Sequence, residues 1–110
     1  ELIKGMTPSS EFFSINPKDD SMETKISIED ILLCEKIDTD NQDWPNNIIY
    51  GKMYVFKNDK ELNIRTLMKP GSLKSGFVNL QPFNKEWPSA EVEINNLEII
   101  GVVRKIIKGV

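Results

Sequence analysis

The run Asp19-Asp20-Ser21-Met22 sets a serine hydroxyl beside two carboxylates in a chain of 110 residues that contains no histidine. A serine hydroxyl attacks a carbonyl only when a neighbouring base takes its proton. Without histidine, Ser-His-Asp and Cys-His activation, histidine acid-base work and histidine metal sites are all excluded. The base left to Ser21 is a lysine or a carboxylate, and a lysine serves when burial brings its pKa toward neutrality. The single cysteine, Cys34, closes the apolar run Ile31-Leu32-Leu33 and reads as a small buried hydrophobe. One cysteine permits neither an internal disulfide nor a multi-cysteine zinc site and points to a reducing compartment.

Two further motifs invite chemistry and are weaker. Asp38-Thr39-Asp40-Asn41-Gln42-Asp43 begins like a calcium loop, but Asp43 stands where the loop needs glycine and Ile49 where it needs glutamate. It reads as a solvated acidic loop. Trp44 and Trp87 are each followed by proline. Such a pair can form a stacking platform, although loop tryptophans more often plug the end of a β core. No metal and no cofactor is expected.

The elements that must position Ser21 are strands. Residues 1–20, with Pro8, Pro17 and the polar Thr7-Pro8-Ser9-Ser10, read as an irregular arm or linker remnant, and 21–110 as the domain proper. Residues 26–37 contain a short strand and 38–47 a polar loop. Ile48 to Phe56 and Glu61 to Met68 are β-rich and are separated by Lys57-Asn58-Asp59-Lys60, which reads as a tight hairpin. Pro70-Gly71 turns the chain into Leu73 to Leu80. Pro82 to Ser89 is a loop, and Val92/Ile94 and Leu97 to Ile107 complete the strands. No internal repeat and no helix of three turns is visible. The pattern predicts an all-β (mainly β) domain, a partly closed barrel or folded sheet with long loops.

A chain of this length buries one core. Its formal net charge of -3, from 14 Lys and Arg against 17 Asp and Glu, argues against a grip on the phosphate backbone, which clustered Lys and Arg would lead. DNA contact therefore falls to another domain. No apolar run approaches the roughly 18 to 20 residues of a bilayer span, and no secretory leader is visible. The expectation is a soluble cytoplasmic protein with no membrane partner. The sequence starts at Glu1 rather than methionine, which reads as a piece whose partner domain lies upstream.

Phe13-Ser14-Ile15-Asn16-Pro17-Lys18-Asp19-Asp20-Ser21-Met22, followed by Glu29-Asp30-Ile31-Leu32-Leu33, resembles the signature of the LexA-like family, which includes phage repressors and UmuD-like proteins. Members usually read Gly-Asp-Ser-Met, then Gly-Asp and a short apolar strand. The later segments follow in that family's order. Tyr50-Gly51-Lys52-Met53-Tyr54-Val55-Phe56 is similar to its G-x-x-Y/V-V strand, Leu62-Asn63-Ile64-Arg65-Thr66-Leu67 to its lysine-bearing strand, and Leu97-Glu98-Ile99-Ile100-Gly101-Val102-Val103 to its closing strand. The resemblance runs from about Phe12 to the C-terminus.

What it implies is a serine-lysine dyad that cuts the chain's own linker, with Ser21 as the nucleophile and Arg65 at the lysine position. Asp19 and Glu29 stand where glycines are usual, and Thr24 or its neighbour where a proline is usual. A guanidinium stays protonated at any working pH, so Arg65 can hydrogen-bond Ser21 or an oxyanion but does not take the proton. Lys60 lies in the preceding turn. Lys69 shares the strand parity of Arg65 but sits four residues on, roughly 13 Å along a strand. The family's scissile dipeptide, Ala-Gly or Cys-Gly upstream of the serine, does not occur in this sequence.

Alternation puts Leu62, Ile64, Thr66 and Met68 on one strand face and Asn63, Arg65 and Leu67 on the other, lining a cleft or meeting water. In the closing strand one parity holds Leu97, Ile99, Gly101, Val103, Lys105 and Ile107, and the other Glu98, Ile100, Val102, Arg104 and Ile106. Both faces are apolar around the middle. That strand is therefore covered on both sides, by a barrel interior plus a loop or by a second subunit. LexA-like domains dimerise through their C-terminal region, so the resemblance implies a homodimer with Ile99, Ile100, Val102, Val103, Arg104 and Ile106 at its interface. It also implies a recombinase-type activator as partner.

The reading that results is the C-terminal dimerisation and regulatory domain of a LexA-like or phage-type transcriptional repressor with a degenerate self-cleavage site. Two alternatives stand beside it. One is an active self-cleaving serine endopeptidase using Ser21. The other is a β-module that binds a ligand or a protein through the same cleft.

Overall fold

The computed structural model describes residues 11–23, 25–38, 48–58, 61–70 and 76–109. Seven strands follow in chain order: β1 (Phe12–Ile15), β2 (Ile31–Lys36), β3 (Met53–Asn58), β4 (Glu61–Met68), β5 (Phe77–Gln81), β6 (Ala90–Glu93) and β7 (Glu98–Ile107). They form one antiparallel sheet in the order β1-β2-β7-β3-β4-β5-β6. The closing strand thus lies between β2 and β3. The all-β expectation holds, in its folded-sheet form. The barrel form does not, because β1 and β6 end the sheet and do not pair with each other. Among the described residues no helix is long and apolar enough to cross a membrane.

Strand alternation builds a core on each side of the sheet. In the β3–β4 hairpin, Tyr54 faces Arg65, Val55 faces Ile64 and Phe56 faces Asn63. Tyr54 and Phe56 join Leu67, Val78, Leu80, Ile94, Ile99 and Val102 in one cluster. Val55 and Ile64 join Met22, Ile26, Leu32, Cys34 and Val103 in the other. The first cluster draws β7 together with β5 and the 3-10 turn Ile94–Asn96, which is where the sheet folds over. The second is roofed by Met22 and Ile26, from the segment that carries Ser21. Each fully buried aliphatic side chain contributes about 1.5–3 kcal/mol by leaving water.

Two bulges in β7 explain its two-sided apolar pattern. Against β3, Val55 opposes Gly101 and Phe56 opposes Ile99, leaving Ile100 extra. Against β2, Leu33 opposes Lys105 and Cys34 opposes Val103, leaving Arg104 extra. A bulge inserts one residue and resets the parity. Ile99 and Val102, three apart, therefore share one core, while Val103 and the half-buried Ile100 and Ile106 pack on the other. The simple parity sets of the sequence do not survive. Both faces of β7 are covered within the chain.

Other differences are local. Phe12–Ile15, within the stretch read as irregular, is an edge strand paired with β2. Its Phe13 ring explains Gly101, where a Cβ would come within 2.8 Å of that ring and 2.7 Å of the Glu35 carbonyl oxygen. The β3–β4 pairing runs to Asn58 opposite Glu61, the register of a two-residue hairpin. The hairpin residues 59–60 themselves, residues 1–10 of the 1–20 arm, Thr24, Trp44 with most of the acidic 38–43 loop, and 71–75 lie outside the described residues.

Candidate functional site

Ser21 sits in a turn laid along the first half of β4. Only Thr66 to Met68 of that strand pair with β5, so Pro17, Lys18, Asp19, Ser21 and Met22 pack beside Leu62, Asn63, Ile64 and Arg65. Met22 anchors the turn from below, being 1% exposed in the second core. The Ser21 carbonyl accepts the Asn84 N–H at 2.8 Å, and the Asp20 carbonyl accepts Asn84 Nδ2 at 3.1 Å. The β5–β6 loop thereby holds the turn from a third direction.

Ser21 is 2% exposed and its polar atoms are all engaged. Arg65 Nη1 donates to Ser21 Oγ at 2.7 Å and to the Ile64 carbonyl at 2.7 Å. The Ser21 N–H donates to Asp19 Oδ1 at 3.0 Å. Burial pushes the Asp19 carboxyl up. The hydrogen bonds from Ser21 and the charges of Arg65 and Lys18 outweigh it and hold the group below its ordinary 3.8. Burial pulls the Arg65 guanidinium down, and Asp19 opposes that pull. An arginine in such surroundings still keeps its proton.

The chemistry follows from these contacts. The carboxylate that holds the Ser21 N–H is less basic than usual, and the hydroxyl oxygen accepts a hydrogen bond from a cation. A nucleophile's own N–H is a natural donor to an oxyanion. Here Asp19 already holds it. Lys69, weighed from the sequence as a substitute base, is exposed, and Lys60 is outside the described residues. The lysine beside the turn is Lys18, whose ammonium pairs with Glu61.

The structure brings Ser21 and Arg65 together and places the other sequence-derived residues apart from them. Ile99 (2%), Val102 (6%) and Val103 (8%) are buried in the chain's own cores, Ile100 and Ile106 are half-buried, and Arg104 donates to Glu35 at 2.7 Å. As side chains offered to a second subunit, the first three are already spent inside the monomer. Cys34 is fully buried, and burial pushes its thiol up to about 12, as a small core hydrophobe would have it.

Sequence reasoning missed Trp87 and Asn84 as parts of the site. Trp87 Nε1 donates to Asp20 Oδ1 at 2.8 Å, and its ring lies 5.6 Å from the Arg65 guanidinium carbon. It is neither a bare platform nor a core plug, since its face is taken by a cation of the same chain. Only the Trp-Pro loop signal marked it beforehand, and nothing local could aim it at residues so distant in sequence.

A folded antiparallel sheet thus carries a buried turn serine against a cation on the neighbouring strand. The chain belongs to the Peptidase S24-like family, the LexA/UmuD-like family, whose family model matches residues 1–104. No curated protein matches the chain significantly.

Proposed function

We propose that this is the dimer-forming regulatory domain of a LexA-like or phage-type transcriptional repressor, and that its serine site does not cut. The carrying observation is the 2.7 Å contact from Arg65 Nη1 to Ser21 Oγ. It puts a permanently charged group where the family reaction needs a proton acceptor. Family membership supports the regulatory role. The net charge of -3 supports a reading in which DNA contact falls to a separate domain. Dimerisation would hold two such domains at a fixed half-site separation, and avidity would raise affinity for a paired operator. The cytoplasm is the compartment this reading requires. A recombinase-type activator would be a partner of cleaving relatives and is dispensable here.

The test joins this chain to a linker carrying Ala-Gly or Cys-Gly and follows its mass over time. An intact product supports the reading. Loss of the linker that depends on Ser21 supports the active-peptidase alternative instead.

A further inference from the structure

Arg65 borders two spaces. One is the tight Ser21 pocket; the other is an open cleft of about 740 Å³ over the first core. Phe56, Leu80 and Leu97 give that cleft an apolar floor, and Arg65, Lys57, Glu91 and Glu93 are among the charged residues that line it. A guanidinium has five N–H groups. Both hydrogen bonds of Arg65 leave from Nη1. Its Nε and Nη2 hydrogens have no acceptor among the described residues, and Lys57 forms no ion pair among them. The nearby acids are engaged: Asp19 by Ser21, Asp20 by Trp87, Glu93 by Asn96 at 3.3 Å, and Glu91 as well.

We propose that this cleft binds an organic acid, its carboxylate on the free fork of Arg65 and its apolar body on Phe56, Leu80 and Leu97. This rests on the reading of Arg65 as a fixed cation. A planar guanidinium presents parallel N–H groups that match a carboxylate in bidentate fashion. The cation-π contact with the Trp87 ring and the hydrogen bond from Nη1 to Ser21 restrain the guanidinium before the ligand arrives. Inorganic anions gain nothing from the apolar floor, and neutral amides lose the charge-assisted pair. A small acid and a peptide C-terminus share the required chemistry.

The experiment titrates phenylbutyrate, phenylbutyramide, inorganic phosphate, and the tripeptide Ala-Leu-Phe with a free or an amidated C-terminus into the whole chain. Two-dimensional amide NMR and tryptophan fluorescence follow each titration. Phenylbutyrate should give saturable shifts at Phe56, Lys57, Arg65 and Leu97 in the millimolar range. Its amide should bind at least about tenfold more weakly, phosphate should not saturate, and Arg65→Gln should lose the acid preference. Binding of the free tripeptide identifies a peptide terminus as a source; binding of phenylbutyrate alone identifies a small acid. Equal affinity for acid and amide in the unsubstituted protein, or no shifts with millimolar acid, overturns the proposal even if Arg65→Gln does not fold. The linker-cleavage assay separately tests Arg65 as a non-base.

Discussion

Arg65 donates from Nη1 to Ser21 Oγ at 2.7 Å while Ser21 gives its N–H to Asp19 Oδ1 at 3.0 Å. The serine is thus held between a cation that cannot accept its proton and a carboxylate that has little appetite for it. Two residues that depart from the LexA-like pattern, Asp19 and Arg65, satisfy each other through the serine. That closed arrangement differs from a dyad missing one part.

Restoring a lysine therefore restores only part of the chemistry. Arg65→Lys should yield at most weak cleavage of an added linker, because Asp19 still occupies the Ser21 N–H and sets negative charge beside a developing oxyanion. The same change removes the guanidinium from over the Trp87 ring, so tryptophan emission should shift. Pairing Arg65→Lys with Asp19→Gly should cleave faster than either single change, read by mass spectrometry. Equal rates in the single and double variants would count against the role given to Asp19.

Asp30 should contribute to the pH dependence of stability in acid. It is 2% exposed and accepts the Gly109 N–H at 2.9 Å, Lys108 Nζ at 2.9 Å and the Ser27 N–H at 3.0 Å. The Gly109 N–H, then Lys108, then the Ser27 N–H hold its carboxyl well below its ordinary 3.8. A depressed folded-state pKa adds stability that is fully present above the unfolded value and is lost as pH falls through the folded one. Asp30→Asn should lower the thermal midpoint at neutral pH, with the gap from the unsubstituted protein closing below about pH 4. A gap that stays constant into strong acid would contradict this assignment.

Much of this was legible in the sequence for reasons that can be named. β4 emerged with its bounds intact because Leu62 to Met68 alternates and turn residues flank it. Ser21 and Arg65, 44 residues apart, were brought together only by the resemblance, since no local pattern couples a turn to a distant strand. The faces of β7 were misassigned because a bulge leaves no periodic trace: it arises from pairing with β2 and β3, which a single strand's sequence does not encode. β1 was missed because four residues after a proline-bearing stretch give too short an alternation. Its pairing with β2 and the packing of Phe13 against Gly101 decide it.

Core substitutions should separate the packing of the sheet from the site. Leu67, 0% exposed in the first core, should cost about 2–5 kcal/mol as Leu67→Ala. Gly101→Val forces atoms into the Phe13 ring and the Glu35 carbonyl and should cost about 1–3 kcal/mol or more. Urea unfolding midpoints check both. A neutral Gly101→Val would show that β1 does not pack on β7 in solution.

Self-association needs a cleaner probe than the buried β7 residues. Val102→Asp would bury an unpaired carboxylate and unfold the chain. Ile31 and Ile107 are cross-strand neighbours exposed by 43% and 46%, so Ile107→Glu should halve a dimer's mass while leaving the circular dichroism spectrum unchanged. Light scattering at tens of micromolar protein decides. A one-chain mass for the unsubstituted protein would remove dimerisation from the account.

The non-cleaving site is tested most directly by mass spectrometry of the linker-extended protein, incubated from neutral to alkaline pH beside its Ser21→Ala variant. Raising pH activates a lysine dyad as its ammonium loses a proton, whereas no accessible pH deprotonates the Arg65 guanidinium. The account predicts that both proteins stay intact and indistinguishable across the range. Linker loss that grows with pH and disappears in Ser21→Ala would contradict it, and would mean that another base, Lys18 or Lys69, serves the serine.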